Sequence, residues 1–263
     1  MGAVSRCGLL TPPSVPAPSD PSDPAPPADA HPLFDVEQFR SLPRRHAVAR
    51  QVAQPTVVLG STQRAEVIDA ARAAERGVAV VRRRGGGGAV LLRPGDHLWI
   101  EAWIPRDDPL WEADVAEAAA WVGAWWNDAL EPAEPAEPAN QGDPPERLVH
   151  RGRAVPGPAD GLVCFSGRGP GELFSAGRKV MGISQWRSRE GSLFHTCAYA
   201  HWDAQPLLDL LDVDPPRWEA LQRDLPGTAV GILDLSTTTL PILEETLLTT
   251  FPTWEKGASP RLD

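Results

Sequence analysis

Two stretches decide how this chain folds: Arg82-Arg83-Arg84-Gly85-Gly86-Gly87-Gly88-Ala89-Val90 and Gly177-Arg178-Lys179-Val180-Met181-Gly182-Ile183-Ser184-Gln185. Of 25 basic residues only Lys179 and Lys256 are lysine. Lysine carries a compact point charge, whereas arginine carries a planar fork that stays charged, so a surviving lysine is a candidate for chemistry that arginine cannot do. Four consecutive glycines allow positive φ and close approach of backbone to a ligand. Amides exposed in such a loop can form an anion nest. With three arginines before it, the loop suits a carboxylate, a phosphate or an acyl-adenylate. It is not a nucleotide-hydrolase phosphate loop, because no Gly-Lys-Ser/Thr follows. Nor is it a dinucleotide fingerprint, because a strand and not a helix comes next.

Working outward, β-branched and apolar runs predict strands at 55–60, 78–82, 98–104, 162–165, 172–175, 179–185 and 192–199. Helical patterns lie at 65–76, with Gly77 as a stop, and at 108–130, 204–211, 215–224 and 240–251. The mix is α+β, a central and mostly antiparallel sheet with helices packed on it. Residues 1–32, rich in Pro, Ala, Ser and Asp, predict a disordered tail, since they cannot bury enough surface to offset the entropy of ordering. Residues 131–147, with their Glu-Pro-Ala repeats, read as a polar connector inside one domain spanning 33–255.

Composition narrows the function. A net charge of -10 argues against nucleic acid as a partner. Clustered arginines in an acidic chain suit a small anionic ligand. No apolar run approaches the ~20 residues that span a bilayer, and the start lacks the apolar stretch of a signal peptide. A cytoplasmic protein without membrane partners is expected. The cysteines Cys7, Cys164 and Cys197 make neither a disulfide framework nor a metal-ligand pattern, so no metal site is expected in the protein itself. Among the tryptophans, Trp99, Trp103 and Trp186 read as core residues or as walls of an apolar tunnel.

The order and spacing of the two opening stretches, with their flanking strands, resemble the lipoate-protein ligase family over roughly residues 40–250. That family shares its catalytic fold with biotin ligases and octanoyltransferases. The resemblance implies a biotin/lipoate ligase-like catalytic domain that attaches a lipoyl or octanoyl group to one lysine of a carrier. The carriers implied are the lipoyl domains of 2-oxoacid dehydrogenases or the glycine cleavage H protein. By resemblance, Lys179 touches the activated carbonyl, and a cation there stabilises the charge that develops in acyl transfer. The binding segment implied comprises Arg82, Arg83, Gly86, Gly87, Gly88 and Ala89, with Gly182, Ser184 and His195. His195 and His201 also read as plain core or surface histidines.

Departures open alternatives. Leu92-Arg93 stand where the family ligases carry His-Asp, Val163-Cys164-Phe165-Ser166 where they carry Asn-Asp, and His195-Thr196-Cys197 where they carry His-His-Gly. The chain also ends too soon after residue 250 for the accessory domain of the best-known ligases. One implied route activates lipoate with ATP and Mg²⁺ through an acyl-adenylate. A second branch of the family places a Cys-Phe pair fifteen residues before the lysine, as Cys164-Phe165 stand here. It passes octanoate from acyl carrier protein or H protein through a cysteine thioester, without a cofactor. Cys164 reads equally as a small buried hydrophobe. A third alternative is a non-catalytic member that binds acylated carriers or a cofactor. Biotin ligation fits least, since the Gly-Arg-Gly-Arg loop is absent.

Overall fold

The structure is a computed structural model and describes residues 36–131, 146–236 and 238–256. The expected tail lies outside them, as does most of the expected connector; the latter's last residue, Arg147, already opens a strand.

Among the described residues nine strands form two sheets. The larger has six strands in the order β1 (His46–Arg50), β5 (His97–Pro105), β9 (Gly191–Tyr199), β8 (Arg178–Arg187), β7 (Leu173–Ser175) and β6 (Arg147–Val149), all antiparallel. The smaller has β3 (Ala79–Arg82) parallel to β2 (Thr56–Leu59), with β4 (Val90–Leu92) antiparallel on the other side. The mixed second sheet and the edge strand β1 were not expected from the sequence.

Every residue of β5 and β9 is buried, because both faces of the large sheet are covered. On one face Leu98, Ile100, Ala102 and Ile104 meet Trp121, Trp125 and Trp126 of helix α3 (Val115–Leu130) and Leu243 and Leu247 of helix α6 (Leu240–Thr250). Alternate residues point the other way, so Trp99, Cys197 and Tyr199 pack on Val58, Val90 and Leu92 of the small sheet. The tryptophans are thus mostly core. Three further helices are short: α1 (Glu37–Arg40), α2 (Ala70–Glu75) and α4 (Gln205–Leu208). Helix α5 (Pro215–Asp224) starts with Pro215 and Pro216 behind the Asp214 cap, where a missing N–H costs nothing.

Three expected elements change. The helix expected over 108–130 begins only at Val115, where Asp114 caps the amides of Ala116 and Glu117. The helix expected over 65–76 breaks into a 3-10 turn and α2, because Ile68 pairs with Leu211 and Asp69 caps a fresh start. The strand expected over 162–165 is a single parallel bridge, Ala89 to Val163, followed by a 3-10 turn at Cys164–Ser166. That bridge brings the glycine loop to Cys164. Among the described residues no helix is long and apolar enough to cross a membrane.

Candidate active site

The glycine loop, the Cys164 turn and the start of β8 meet around a cleft of about 670 Å³. Gly87, Gly88, Cys164, Arg168, Glu172 and Lys179 are among the residues that line it. Local geometry builds each wall. The Gly88–Ala89 chain is stitched to the Cys164 segment by two bonds: the Ala89 amide donates to the Leu162 carbonyl (2.8 Å) and the Cys164 amide to the Ala89 carbonyl (3.0 Å). Lys179 is clamped through its backbone: its amide donates to Thr228 and its carbonyl accepts from Val230. Opposite it, β7 has a register shift between Leu173 and Phe174. The successive residues Val180 and Met181 both enter the main core, a break in strand alternation that such a bulge produces beside Lys179.

Lys179 is 1% exposed. Its Nζ donates to the Cys164 carbonyl at 2.7 Å and to Glu172 Oε1 at 2.8 Å. A buried charge needs such partners, since transfer from water is costly without them. Glu172 also accepts from the Gly169 amide at 2.5 Å. Burial pushes the Glu172 carboxyl above its ordinary range, while Lys179 and the amides of Gly169 and Ile183 pull it back. Cys164 is half-buried and reaches the cleft. A Cβ added at Gly182 would stand 3.6 Å from Cys164 Sγ and 3.5 Å from Glu172 Oε1, so the bare backbone of Gly182 floors the space between thiol and carboxylate.

The glycine loop has a different internal logic from the one its sequence suggests. A Cβ on Gly88 would lie 2.5 Å from the Val163 carbonyl carbon, and one on Gly85 would strike Ser184 Oγ at 2.0 Å. One on Gly86 would meet nothing within 4 Å. Gly87 has φ +96°, and the amides of Gly87 and Gly88 donate to no acceptor among the described residues. Both residues line the cleft. Two of the three arginines before the loop, Arg82 and Arg83, bond to the protein's own carbonyls, while Arg84 is exposed. Arg83, 2% exposed, donates to the carbonyls of Val58, Gly86 and Gly88 and to Ser184 Oγ. Arg82 donates to the carbonyls of Gly60 and Gln63. The physical reason is that a loop without side chains leaves carbonyls unpaired, and a forked guanidinium satisfies several at once. Ser184 completes this strut by donating to the Gly86 carbonyl at 3.1 Å. Ala89 serves through its backbone alone, its side chain being fully buried.

His195 is not in the cleft wall. It lies inside the body between Trp99, at 5.6 Å between ring centres, and Glu101, at 3.6 Å. Burial, with Arg83 and Arg50 nearby, holds its imidazole down at about 3, so a base role at neutral pH is not supported by a proton it can take up. His201 is exposed and meets Asp234 at 2.7 Å. Sequence reasoning missed Glu172. The available signal was a carboxylate opening an apolar strand seven residues before the lone buried lysine. Arg168, one of the clustered arginines that suit an anionic ligand, does line the cleft, with its guanidinium over the Phe174 ring.

Comparison with known proteins follows the same lines. The model for the lipoyl protein ligase A/B catalytic domain matches residues 37–238. A bi-partite lipoate protein ligase from Thermoplasma acidophilum, described with its E2 lipoyl domain, superimposes with a TM-score of 0.57 at 17% identity. The match covers 83% of this chain and 75% of that one. A second T. acidophilum structure, with lipoic acid bound, also gives 0.57 at 17% identity, over 83% and 77% of the two chains. Lipoate-protein ligase A bound with ATP gives 0.53 at 18% identity, over 82% and 75%. No curated protein sequence matches the chain. Identities this low establish a shared fold, and the family match extends through both halves of the cleft, from the glycine loop to Lys179. This chain belongs to the lipoyl protein ligase A/B catalytic-domain family.

Proposed function

We propose that this protein transfers a lipoyl or octanoyl group to a lysine of a carrier domain, by way of a thioester on Cys164. The observation that carries this reading is that Cys164 and Lys179 share one cleft, with Nζ bonded to the cysteine's own carbonyl. In the first step the Cys164 thiol loses its proton to solvent and Sγ attacks the carbonyl of an acyl thioester donor. The new C–S bond forms as the donor's thiol leaves. In the second, a carrier lysine amine attacks the Cys164 thioester, an amide forms and the Cys164 thiol is released. Each step develops negative charge on the acyl oxygen, and Lys179 is the cation in the cleft wall that can receive it. The Gly87 and Gly88 amides add further donors in the same wall. Acyl carrier protein is the class of donor that presents octanoate as a thioester. The acceptor class follows the T. acidophilum relative, whose partner is an E2 lipoyl domain.

A second reading, ATP-dependent ligation of lipoate, is favoured by those same two amides, which suit a phosphate or an acyl-adenylate. The residues that would hold ATP are these amides with Arg64 and Arg168 at the cleft, not Arg82 or Arg83. Asp160 is the cleft carboxylate not paired with Lys179, and so the residue that would meet Mg²⁺. ATP would supply activation of the free acid.

Intact mass separates the two readings. Incubation with octanoyl-acyl carrier protein is expected to add one octanoyl group to the enzyme, removable by hydroxylamine. The adduct should vanish in Cys164→Ser and persist in Cys197→Ser. An adduct that survives Cys164→Ser removes Cys164 from the mechanism. Pyrophosphate release with lipoate and ATP, undiminished in Cys164→Ser, would establish the ligase instead.

A further inference from the structure

Glu172 is 4% exposed and is the only buried carboxylate among the described residues lining the cleft. It ties together three parts of the wall. Oε1 accepts from Lys179 Nζ at 2.8 Å, and Oε2, equally close to Nζ, accepts from the Gly169 amide at 2.5 Å. Its backbone carbonyl accepts from the His150 amide at 2.9 Å, which anchors the residue from behind. Lys179 Nζ stands 2.8 Å from both Glu172 oxygens and 2.7 Å from the Cys164 carbonyl. These contacts on two sides fix where the ammonium stands in the cleft wall. Without the carboxylate, a flexible four-carbon side chain would hold only one anchor.

We infer that Glu172 is a positioning residue that aims Lys179 at the acyl oxygen and, by its charge, offsets that of Lys179 beside Cys164. The inference rests on the thioester reading of Cys164. It has a signature that a merely structural residue lacks, because the two effects of removing Glu172 run in opposite directions. Loss of a negative charge near the thiol favours thiolate and speeds its chemistry with any electrophile. Loss of the anchor leaves Lys179 unaimed and slows acyl transfer.

The test uses the full chain with Cys7→Ser and Cys197→Ser, in which Cys164 is the remaining thiol. Two rates are measured: alkylation of Cys164 by iodoacetamide as a function of pH, and octanoyl transfer from octanoyl-acyl carrier protein to an apo lipoyl domain, as kcat and KM. Glu172→Gln is expected to alkylate several-fold faster at pH 7, while kcat falls by about 10-fold or more and KM stays within about twofold. Glu172→Asp keeps the charge and shortens the reach, so its alkylation should match the parent while kcat falls; it also serves if Glu172→Gln does not fold. Alkylation unchanged or slower in Glu172→Gln, or kcat retained in both variants, would overturn the inference. The alkylation arm needs no acyl donor. A parent protein that alkylates as expected but transfers nothing would therefore count against the proposed reaction and not against the charge coupling of Glu172.

Discussion

Glu172 and Glu101 are both buried carboxylates, yet the protein treats them differently. Glu172, in the cleft wall, accepts from a lysine and from the Gly169 amide. Glu101, at 0% exposure inside the sheet, has Arg50 at 2.8 Å on one oxygen and the neutral His195 at 3.6 Å near the other. Burial pushes Glu101 up to about 7, with only Arg50 and Trp99 opposing. The difference shows that burial alone does not define a buried acid. Burial raises both carboxyls, and what differs is the set of donors that oppose it, led by a lysine at Glu172 and by an arginine at Glu101.

The comparison can be broken most directly at Lys179. Lys179→Met leaves Glu172 buried beside no cation, and we expect a loss of about 3–5 kcal/mol in urea unfolding. Acyl transfer should fall by at least ~10²-fold. A loss under about 1 kcal/mol would mean that the Gly169 amide alone holds Glu172 and that the two carboxylates differ less than their geometry indicates.

A finer test asks whether the cleft wall is built to closer tolerance than its sequence suggests. Gly88→Ala drives a Cβ into the Val163–Cys164 backbone and should cost about 1–3 kcal/mol. Gly86→Ala meets open space and should stay within ~0.5 kcal/mol. Equal effects in thermal melts would show that the loop rearranges freely.

The smallest expected effect is the pH dependence of Glu101. Its folded value, about 7, lies above its ordinary 4.5, so the folded state binds the extra proton. Stability from this group is therefore present below about 4.5 and is lost as pH rises through 7. Glu101→Gln has no such loss, and its Tm relative to wild type should rise between pH 5 and pH 8 by roughly 4–8 °C, the effect of about 2 kcal/mol in a domain of this size. His195 acts with the opposite sign, since its folded value near 3 lies below 6.5 and its contribution is lost as pH falls through that window. A Tm difference that does not change with pH would place Glu101 among the ordinary ion pairs.

Much was legible in residues alone. Lys179 stood out because arginine had replaced lysine almost everywhere else. The strands at 98–104 and 192–199 were readable because apolar runs of that length have few other uses. That Cys164 and Lys179 share a site was implied by resemblance to one branch of the family, and both line the cleft. The tertiary structure decided which groups face it. Arg82 and Arg83 read as anion ligands in the chain, but an arginine answers to the nearest unpaired carbonyls, and those are supplied by Val58, Gly60 and the loop itself. Which glycine tolerates no side chain depended on segments far along the chain, Ser184 against Gly85 and Val163 against Gly88. The expected strand at 162–165 became a turn because its only ladder partner is Ala89. Composition and periodicity are local properties, so they report element type and residue chemistry. The direction a charged side chain takes is set by donors and acceptors that only folding brings within 3 Å of each other.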